Sequence, residues 1–435
     1  MSHADMMKDA PQWVQQPPTH PAYYHGVGMA TKTTHQDYRE RARQNALSDL
    51  AAGISVNISS QSVLNQFEFD NVHSEFFRDN IRVSTQQFLE GYEIAGSWEN
   101  DVQYWVYYRL SRSVFEQIKQ ERVNRALSQA LSRLQEADEL TQRGRKSDAL
   151  GFSVKALEDI RDFMGEELLV ERGGTKRPFA ALFATDLTDK LRDIEIVFSE
   201  EIARVKPGRD QLHSIDVTLR DSSSRTLSGM PVTVRYSWLP GQVIEVNTDA
   251  SGRFTLYLQG IKPGRRSEQV SCRVNFQSIV RNNTSELSVQ RLLGAYSASE
   301  FILPVEIVPP VFSVDIESQS LGSGSYTAKV RDEFTRLLNT NGIEVRRDIR
   351  GQQIDYRMHV MLEKTGVSQS GNRFTADIKK DIVVTDSDGK TAYRHIGSQT
   401  TGLGSSHDAA VEDALKSMEA QIRITIFHEM MNEIF

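Results

Sequence analysis

A chain of 435 residues is about three average domains long, and its 39% hydrophobic and 25% charged residues exclude wholesale disorder. The net charge of -7 argues against a general nucleic-acid binder, which carries a basic face. Cys272 is the sole cysteine, which excludes an internal disulfide and a multi-cysteine zinc site, and no stretch approaches the roughly 20 apolar residues of a membrane-spanning helix.

Residues 1–10 contain neither an apolar export core nor a basic leader. A cytosolic start and a mature chain whose signal was removed both look like this, and the two readings stay open. Residues 24–33, with Gly26 and Gly28, read as a strand. Residues 35–53 follow as a helix with Tyr38, Ala42, Ala46 and Leu50 on one stripe and Gly53 at its end. Residues 54–69 alternate as a strand, with Ile54, Val56 and Ile58 on one face. Residues 88–98 and 102–110 then form two strands around the turn Glu99, Asn100 and Asp101. One helix on a small antiparallel sheet is the α+β arrangement expected for residues 11–115.

From 116 to 206 the period becomes helical. Val114, Ile118, Val123, Leu127, Leu131, Leu134 and Leu140 mark a long helix broken by Gly144, and residues 147–164 continue with Ala149, Val154, Leu157 and Ile160. This stretch resembles one tetratricopeptide-like hairpin, short of the three or so repeats a solenoid needs. A further helix is expected to run from 179 or 186 to 205, making the region a helical spacer.

Residues 211–308 change to short alternating runs at 215–219, 231–237, 243–247, 254–258 and 270–276, the spacing of a β-sandwich. The turn Thr248, Asp249, Gly252 and Phe254 after a Val-rich strand resembles the prealbumin-like and carboxypeptidase-regulatory modules. Pro309 and Pro310 form a stiff linker. Residues 311–435 then read as a second α+β unit: strands 311–317, 343–347, 354–362, 374–384 and 391–397, a helix 326–339, and a last helix capped near Ser405 and Ser406 with Val411, Leu415, Met418 and Ile422 on one face.

The opening segment resembles the Lpp-twenty-like family of bacterial envelope lipoproteins. The matching residues are Pro11, Trp13 and Val14; Tyr24, Gly26, Gly28 and Ala30; Ala42, Ala46, Leu50 and Ala51; Ile54, Val56, Ser59 and Ser60; and Trp105, Val106, Arg109 and Leu110. The resemblance implies a small non-enzymatic domain and a place in the cell envelope, although the acylated cysteine of that pattern is lacking. Gly402, Leu403, Gly404, Ser405, Ala409, Ala410, Ala414 and Leu415 are similar to the closing turn and helix of curli-secretion-type envelope lipoproteins.

The chemistry-bearing residues form no recognisable catalytic set. Thr248, Asp249 and Gly252, like Thr385, Asp386, Asp388 and Gly389, lack the spacing of a calcium loop and read as hairpin turns. His407 with Asp408 and His428 with Glu429 are not in H-E-x-x-H order. Ser59, Ser60 and Ser222 to Ser224 lack a nucleophile elbow, and Gly26 with Gly28 lacks the third glycine of a phosphate loop. Lys262, Pro263, Gly264, Arg265 and Arg266 form a basic loop that suits either solvent or an anionic surface. No catalytic, cofactor or metal residue is assigned.

Tyr92, Trp98, Tyr104, Trp105, Tyr107 and Tyr108 are a dense aromatic cluster. Alternation sends Tyr104, Val106 and Tyr108 to one side and Trp105 and Tyr107 to the other, so one side packs on the helix and the other is core or partner surface. Trp98, Tyr104, Trp105, Tyr107 and Tyr108 are the candidate interaction residues. The whole reads as an α+β multidomain chain, two α+β ends flanking a helical spacer and a sandwich in a rod-like or arched protomer. The expected role is a non-enzymatic structural or assembly component of an outer-membrane-associated complex. It is periplasmic or peripheral to the outer membrane, a homo-oligomer with envelope protein partners, without nucleic acid or cofactor. A second reading makes it a periplasmic adaptor whose sandwich holds glycan or a partner. A third, enzymatic reading requires distant groups such as Asp249 and His213 to converge.

Overall fold

The computed structural model describes residues 9–32, 37–54, 62–63, 89–172, 174–209, 212–321 and 324–435. It is an α+β chain, as the residue patterns imply. The strand expected at 54–69 lies almost wholly outside the described residues, as do Ser59 and Ser60.

The first unit contains a short helix α1 (Gln12–Gln15), strand β1 (Tyr23–Thr31), helix α2 (Tyr38–Gly53), and strands β2 (Glu93–Glu99) and β3 (Gln103–Ser111). The sheet order is β1-β3-β2 with antiparallel neighbours. Asn100 sets the β2–β3 turn, its Oδ1 accepting from Val102 N at 2.9 Å and Gln103 N at 2.7 Å. The small residues of β1 exist for the helix. A Cβ built on Gly26 would stand 2.2 Å from Ala46 O, and one on Gly28 would stand 2.1 Å from Ala42 O. The α2 backbone therefore rests directly on the β1 backbone, with Ala42, Ala46 and Leu50 fully buried at the seam.

Helices α3 (Arg112–Gln142) and α4 (Lys146–Asp159) form the expected hairpin, joined across Gly144 at φ +75°. A small hairpin follows, β4 (Leu169–Arg172) with β5 (Thr175–Pro178), and then helix α5 (Phe179–Arg192). The expected helix to 205 stops at 192. Residues 194–205 carry β6 (Ile194–Phe198) and β7 (Ala203–Val205) instead. The reason is the period: Ile194 and Ile196 are buried on either side of exposed Glu195, and both strands find partners later in the chain.

Those partners are β8 (His213–Asp221), β9 (Pro231–Tyr236), β10 (Val243–Asn247), β11 (Arg253–Leu258), β12 (Ser267–Val274) and β13 (Glu300–Ile307). One sheet runs β10-β9-β12-β13-β7 and another β11-β8-β6. Two short helices, α6 (Phe276–Asn283) and α7 (Leu287–Leu293), interrupt the strands where the sequence suggests only β structure. Both sheets and helices α3 to α7 contribute to one apolar core, so the segments 116–206 and 211–308 pack as one body. Cys272 lies in that core, and burial pushes its thiol up to about 12.

The last unit comprises β14 (Val311–Gln319), α8 (Gly324–Thr340), β15 (Glu344–Val345), β16 (Tyr356–Ser370), β17 (Arg373–Asp386), β18 (Thr391–Gly404), α9 (His407–Gln421), a π-helical turn (Ile422–Ile426) and α10 (Phe427–Ile434). The sheet order is β15-β14-β16-β17-β18, with β14 parallel to both neighbours. Ser406 caps α9, its Oγ accepting from Ala409 N at 3.1 Å. The seam of the first unit recurs here. A Cβ on Gly402 would stand 2.1 Å from Ala414 N and 2.2 Å from Ala410 O. The basic loop 262–266 meets this unit, since a Cβ on Gly342 would lie 2.6 Å from Gly264 N. Lys262 Nζ also donates to Asn432 Oδ1 at 3.4 Å.

Within this unit Lys380 is fully buried, its Nζ donating to Gln421 Oε1 at 2.7 Å and Thr400 Oγ1 at 3.1 Å. Desolvation holds its ammonium below the ordinary 10.5. Gln421 is the residue from which the π turn departs, so the network meets α9 where its pitch changes. Lys380→Met removes the desolvation cost, and Thr400 Oγ1, already 3.3 Å from Gln421 Oε1, keeps that acceptor satisfied. The variant is expected to be more stable by about 1–2 kcal/mol at neutral pH. With its folded pKa depressed, wild-type Lys380 recovers this cost as pH rises through that value towards 10.5. Urea titration at pH 7 and pH 10 should show the gain shrinking, whereas a lower midpoint at pH 7 would mean the hydrogen bonds outweigh burial.

Candidate functional site

The aromatic cluster divides between two faces as strand alternation dictates. Tyr108 is buried towards α2 with Val106, and Tyr104 packs edge-on against Tyr38 of α2 at 5.8 Å between ring centroids. Tyr108 belongs to the buried seam, and Tyr104 is partly buried against it. Tyr92 joins them, its ring 5.2 Å from Tyr108. Trp98, Trp105 and Tyr107 point to the opposite face, where Trp98 and Trp105 are register partners across β2 and β3.

That second face is built from His25, Val27 and Met29 of β1, which pair with Arg109, Tyr107 and Trp105. Trp13 of α1 lies on it, 5.6 Å from the Tyr107 ring and against Gly96, where a Cβ would stand 3.1 Å from its Nε1. His25 Nδ1 and the Tyr107 hydroxyl share a hydrogen bond of 2.7 Å. Burial lowers the His25 pKa from 6.5 and raises that of Tyr107 from 10.0, so both sit neutral at pH 7. At the rim the Arg109 guanidinium lies 4.9 Å over the Tyr23 ring and donates to Glu93 at 2.5 Å. The result is a half-buried aromatic floor with an ion-paired edge.

The two edges of this sheet differ. The outer edge of β1 is sealed by α2: Val27 N donates to Asp49 Oδ2 at 2.9 Å and Asn45 Nδ2 donates to Met29 O at 3.0 Å. The outer edge of β2 has no strand partner among the described residues. A bulge between Ile94 and Gly96 turns the strand there and leaves Ile94 65% exposed. Asp49 and Asn45 went unnoticed in the sequence, because a polar residue on a helix face carries no sign of what it will cap.

The other candidates resolve as ordinary structure. Asp249 Oδ1 accepts from Ser251 N at 2.8 Å and Arg253 N at 2.9 Å, and Asp386 Oδ1 accepts from Asp388 N at 3.0 Å and Lys390 N at 2.8 Å. Both carboxylates serve their own turns. His213 opens β8 opposite Leu258, whereas the Asp249 turn meets the far end of that strand at Leu219, so the two do not converge. A cavity of about 350 Å³ beside α8 and α9 and another of about 480 Å³ beside Lys206 and Asp355 do gather charged groups. Several of those groups neutralise one another, as in Glu333 with Arg336 at 2.7 Å and Lys206 with Asp355 at 2.8 Å.

No helix among the described residues is long and apolar enough to cross a membrane. No curated protein matches the chain. Among solved structures it is similar to the secreted protein HP1454 from Helicobacter pylori, at 11% identity and a TM-score of 0.21 over 93% of this chain and 99% of that one. It is also similar to lipoprotein GNA1162 from Neisseria meningitidis, at 13% identity and 0.20 over 28% and 99%, and to a minor lipoprotein from Acinetobacter baumannii, at 10% identity and 0.19 over 28% and 94%. Residues 11–110 match the family model described as LPP20 lipoprotein, so the amino-terminal quarter of the chain is similar to that family.

Proposed function

We propose that this protein is a non-enzymatic assembly component of the bacterial envelope, and that its copies associate laterally through the β2 edge of the amino-terminal sheet. The observation that carries the reading is the asymmetry of that sheet. On the β1 edge Val27 N and Met29 O are occupied by Asp49 and Asn45, whereas the β2 edge, with Ile94 and the bulge along it, has no strand partner among the described residues. A sheet edge without a strand partner among the described residues, beside an exposed isoleucine, favours pairing with another chain. Trp98 lies on that edge strand, with Trp105 and Tyr107 on the neighbouring β3, and together they supply the rigid aromatic area that interfaces favour. A place in the periplasm or at the periphery of the outer membrane accords with the family resemblance.

The expected result is a concentration-dependent oligomer at micromolar protein, read by light scattering coupled to size exclusion. Ile94→Lys, on an exposed side chain, should shift the population to monomer without changing the melting temperature, while Asp49→Asn should leave the association intact. A wild-type chain that stays monomeric at 100 μM, a concentration typical of about −5.5 kcal/mol of binding, contradicts the proposal.

A further inference from the structure

We propose that Asp315, Glu317 and His359 form a binding site for a divalent transition metal, Zn2+ in the first instance, on the face of the carboxy-terminal sheet away from its helices. Strand alternation along β14 buries Ile316 and turns Asp315 and Glu317 outward together. His359 is the register partner of Asp315 on the parallel strand β16, and its ring falls between the two carboxylates. Nδ1 lies 3.5 Å from Asp315 Oδ2, and Nε2 lies 4.0 Å from Glu317 Oε2. One donor atom from each of the three residues lies within 4.8 Å of the others. Donors at the usual zinc distances of roughly 2.0–2.2 Å stand about 3.4 Å apart around a tetrahedral ion, so small side-chain rotations close the set.

Three features distinguish this cluster from ordinary exposed acids. The donors ride on adjacent strands of a five-stranded ladder, which holds their spacing without a loop. Among the described residues their carboxylates accept no backbone N–H of their own turn, unlike those of Asp249 and Asp386. Among the described residues Asp315 has one guanidinium within ion-pair distance, that of Arg331 at 4.0 Å, against a local charge of two carboxylates. One imidazole nitrogen with two carboxylate oxygens suits a borderline cation such as Zn2+, with water completing the shell. Ca2+, which takes roughly six to eight oxygens, is poorly matched. An Asp-x-Glu pair on one strand and a histidine on the next, far apart in sequence, match no ligand spacing, which is why sequence reading passes over them.

The test is calorimetric titration of the full chain with ZnCl2 after chelator treatment. One zinc per chain is expected. His359→Ala and the double variant Asp315→Asn/Glu317→Gln should lose that site, whereas His428→Ala, at an exposed histidine on α10, should keep it. All four substitutions are at exposed side chains, and unchanged circular dichroism and melting will show that the fold survives. An imidazole that serves only as an ion-pair partner gives the opposite outcome: no zinc uptake by the wild type, or uptake that His359→Ala leaves intact. Either result overturns the site.

Discussion

Gly28→Val is expected to unfold the amino-terminal unit, and Gly402→Val the carboxy-terminal one, each without melting the other. At both positions the added Cβ would stand 2.1 Å from helix backbone, Ala42 O in the first case and Ala414 N in the second. A flexible side chain can swing away from such an overlap, but a hydrogen-bonded helix must move as a body. Moving α2 outward exposes Ala46 and Leu50, both fully buried, and breaks the Val27–Asp49 and Met29–Asn45 bonds with them. Overpacking alone costs about 1–3 kcal/mol, and backbone overlap with the loss of a whole helix face should exceed about 4 kcal/mol. Gly53→Ala is the matched control. Among the described residues a Cβ there meets only His25 O at 3.8 Å, so its stability should be unchanged. Hydrogen exchange resolved by segment checks the outcome. Native-like protection of residues 38–53 in Gly28→Val would sink the account of the seam.

The second large effect is expected at Lys146 and Asp193. Lys146 opens α4 with only 1% of its side chain exposed, and its Nζ contacts both the carboxylate and, at 3.4 Å, the backbone oxygen of Asp193. Asp193 Oδ1 accepts in turn from Ser222 N at 3.0 Å. One ammonium thus ties the helical hairpin to the α5–β6 junction and to the end of β8. Asp193→Asn leaves the lysine buried without a counter-charge, a loss of about 3–5 kcal/mol. Lys146→Met should be much milder, because Asp193 keeps 28% exposure and can hydrate its own charge. The ordering of the two variants is the sharp part of the expectation, and chemical denaturation at pH 7 measures it.

Acid should expose the same tie. Burial pushes the Asp193 carboxyl upward, but hydrogen bonds from Lys146 and Ser222 outweigh it and hold the group below 3.8. Its stabilisation is therefore complete above that unfolded value and lost as pH falls through the lower folded one. Wild-type stability should drop more steeply below pH 4 than that of Lys146→Met. Parallel curves would show that the pair contributes nothing to acid sensitivity.

Much of the fold was legible because apolar residues repeat with a visible period. Val232, Val234 and Tyr236 alternate, and Val330, Phe334 and Leu337 recur at helical spacing, and the structure places a strand and a helix there. Misreading set in where two signals competed. Residues 194–205 are rich in helix-favouring charged residues, yet Ile194 and Ile196 pair with Asp221 and Leu219 of β8, a partnership no local window contains. The helices at 276–283 and 287–293 are too short for a period to show. At the aromatic cluster the alternation separates the two faces, and α2, which lies on the Tyr104 and Tyr108 face, buries Tyr108 and partly covers Tyr104. Lys146, Lys380 and Asp49 gave no warning, since a charged residue does not announce in sequence that it will be enclosed.

Cys272 has a practical corollary. A lone thiol that stays protonated up to about 12 inside the core is a poor target for maleimide or iodoacetamide at neutral pH. A cysteine introduced at any solvent-facing position would then be the single reactive handle on the molecule. Spin labels or fluorophores could be placed one at a time on the native background, with no need to engineer away the resident sulfur.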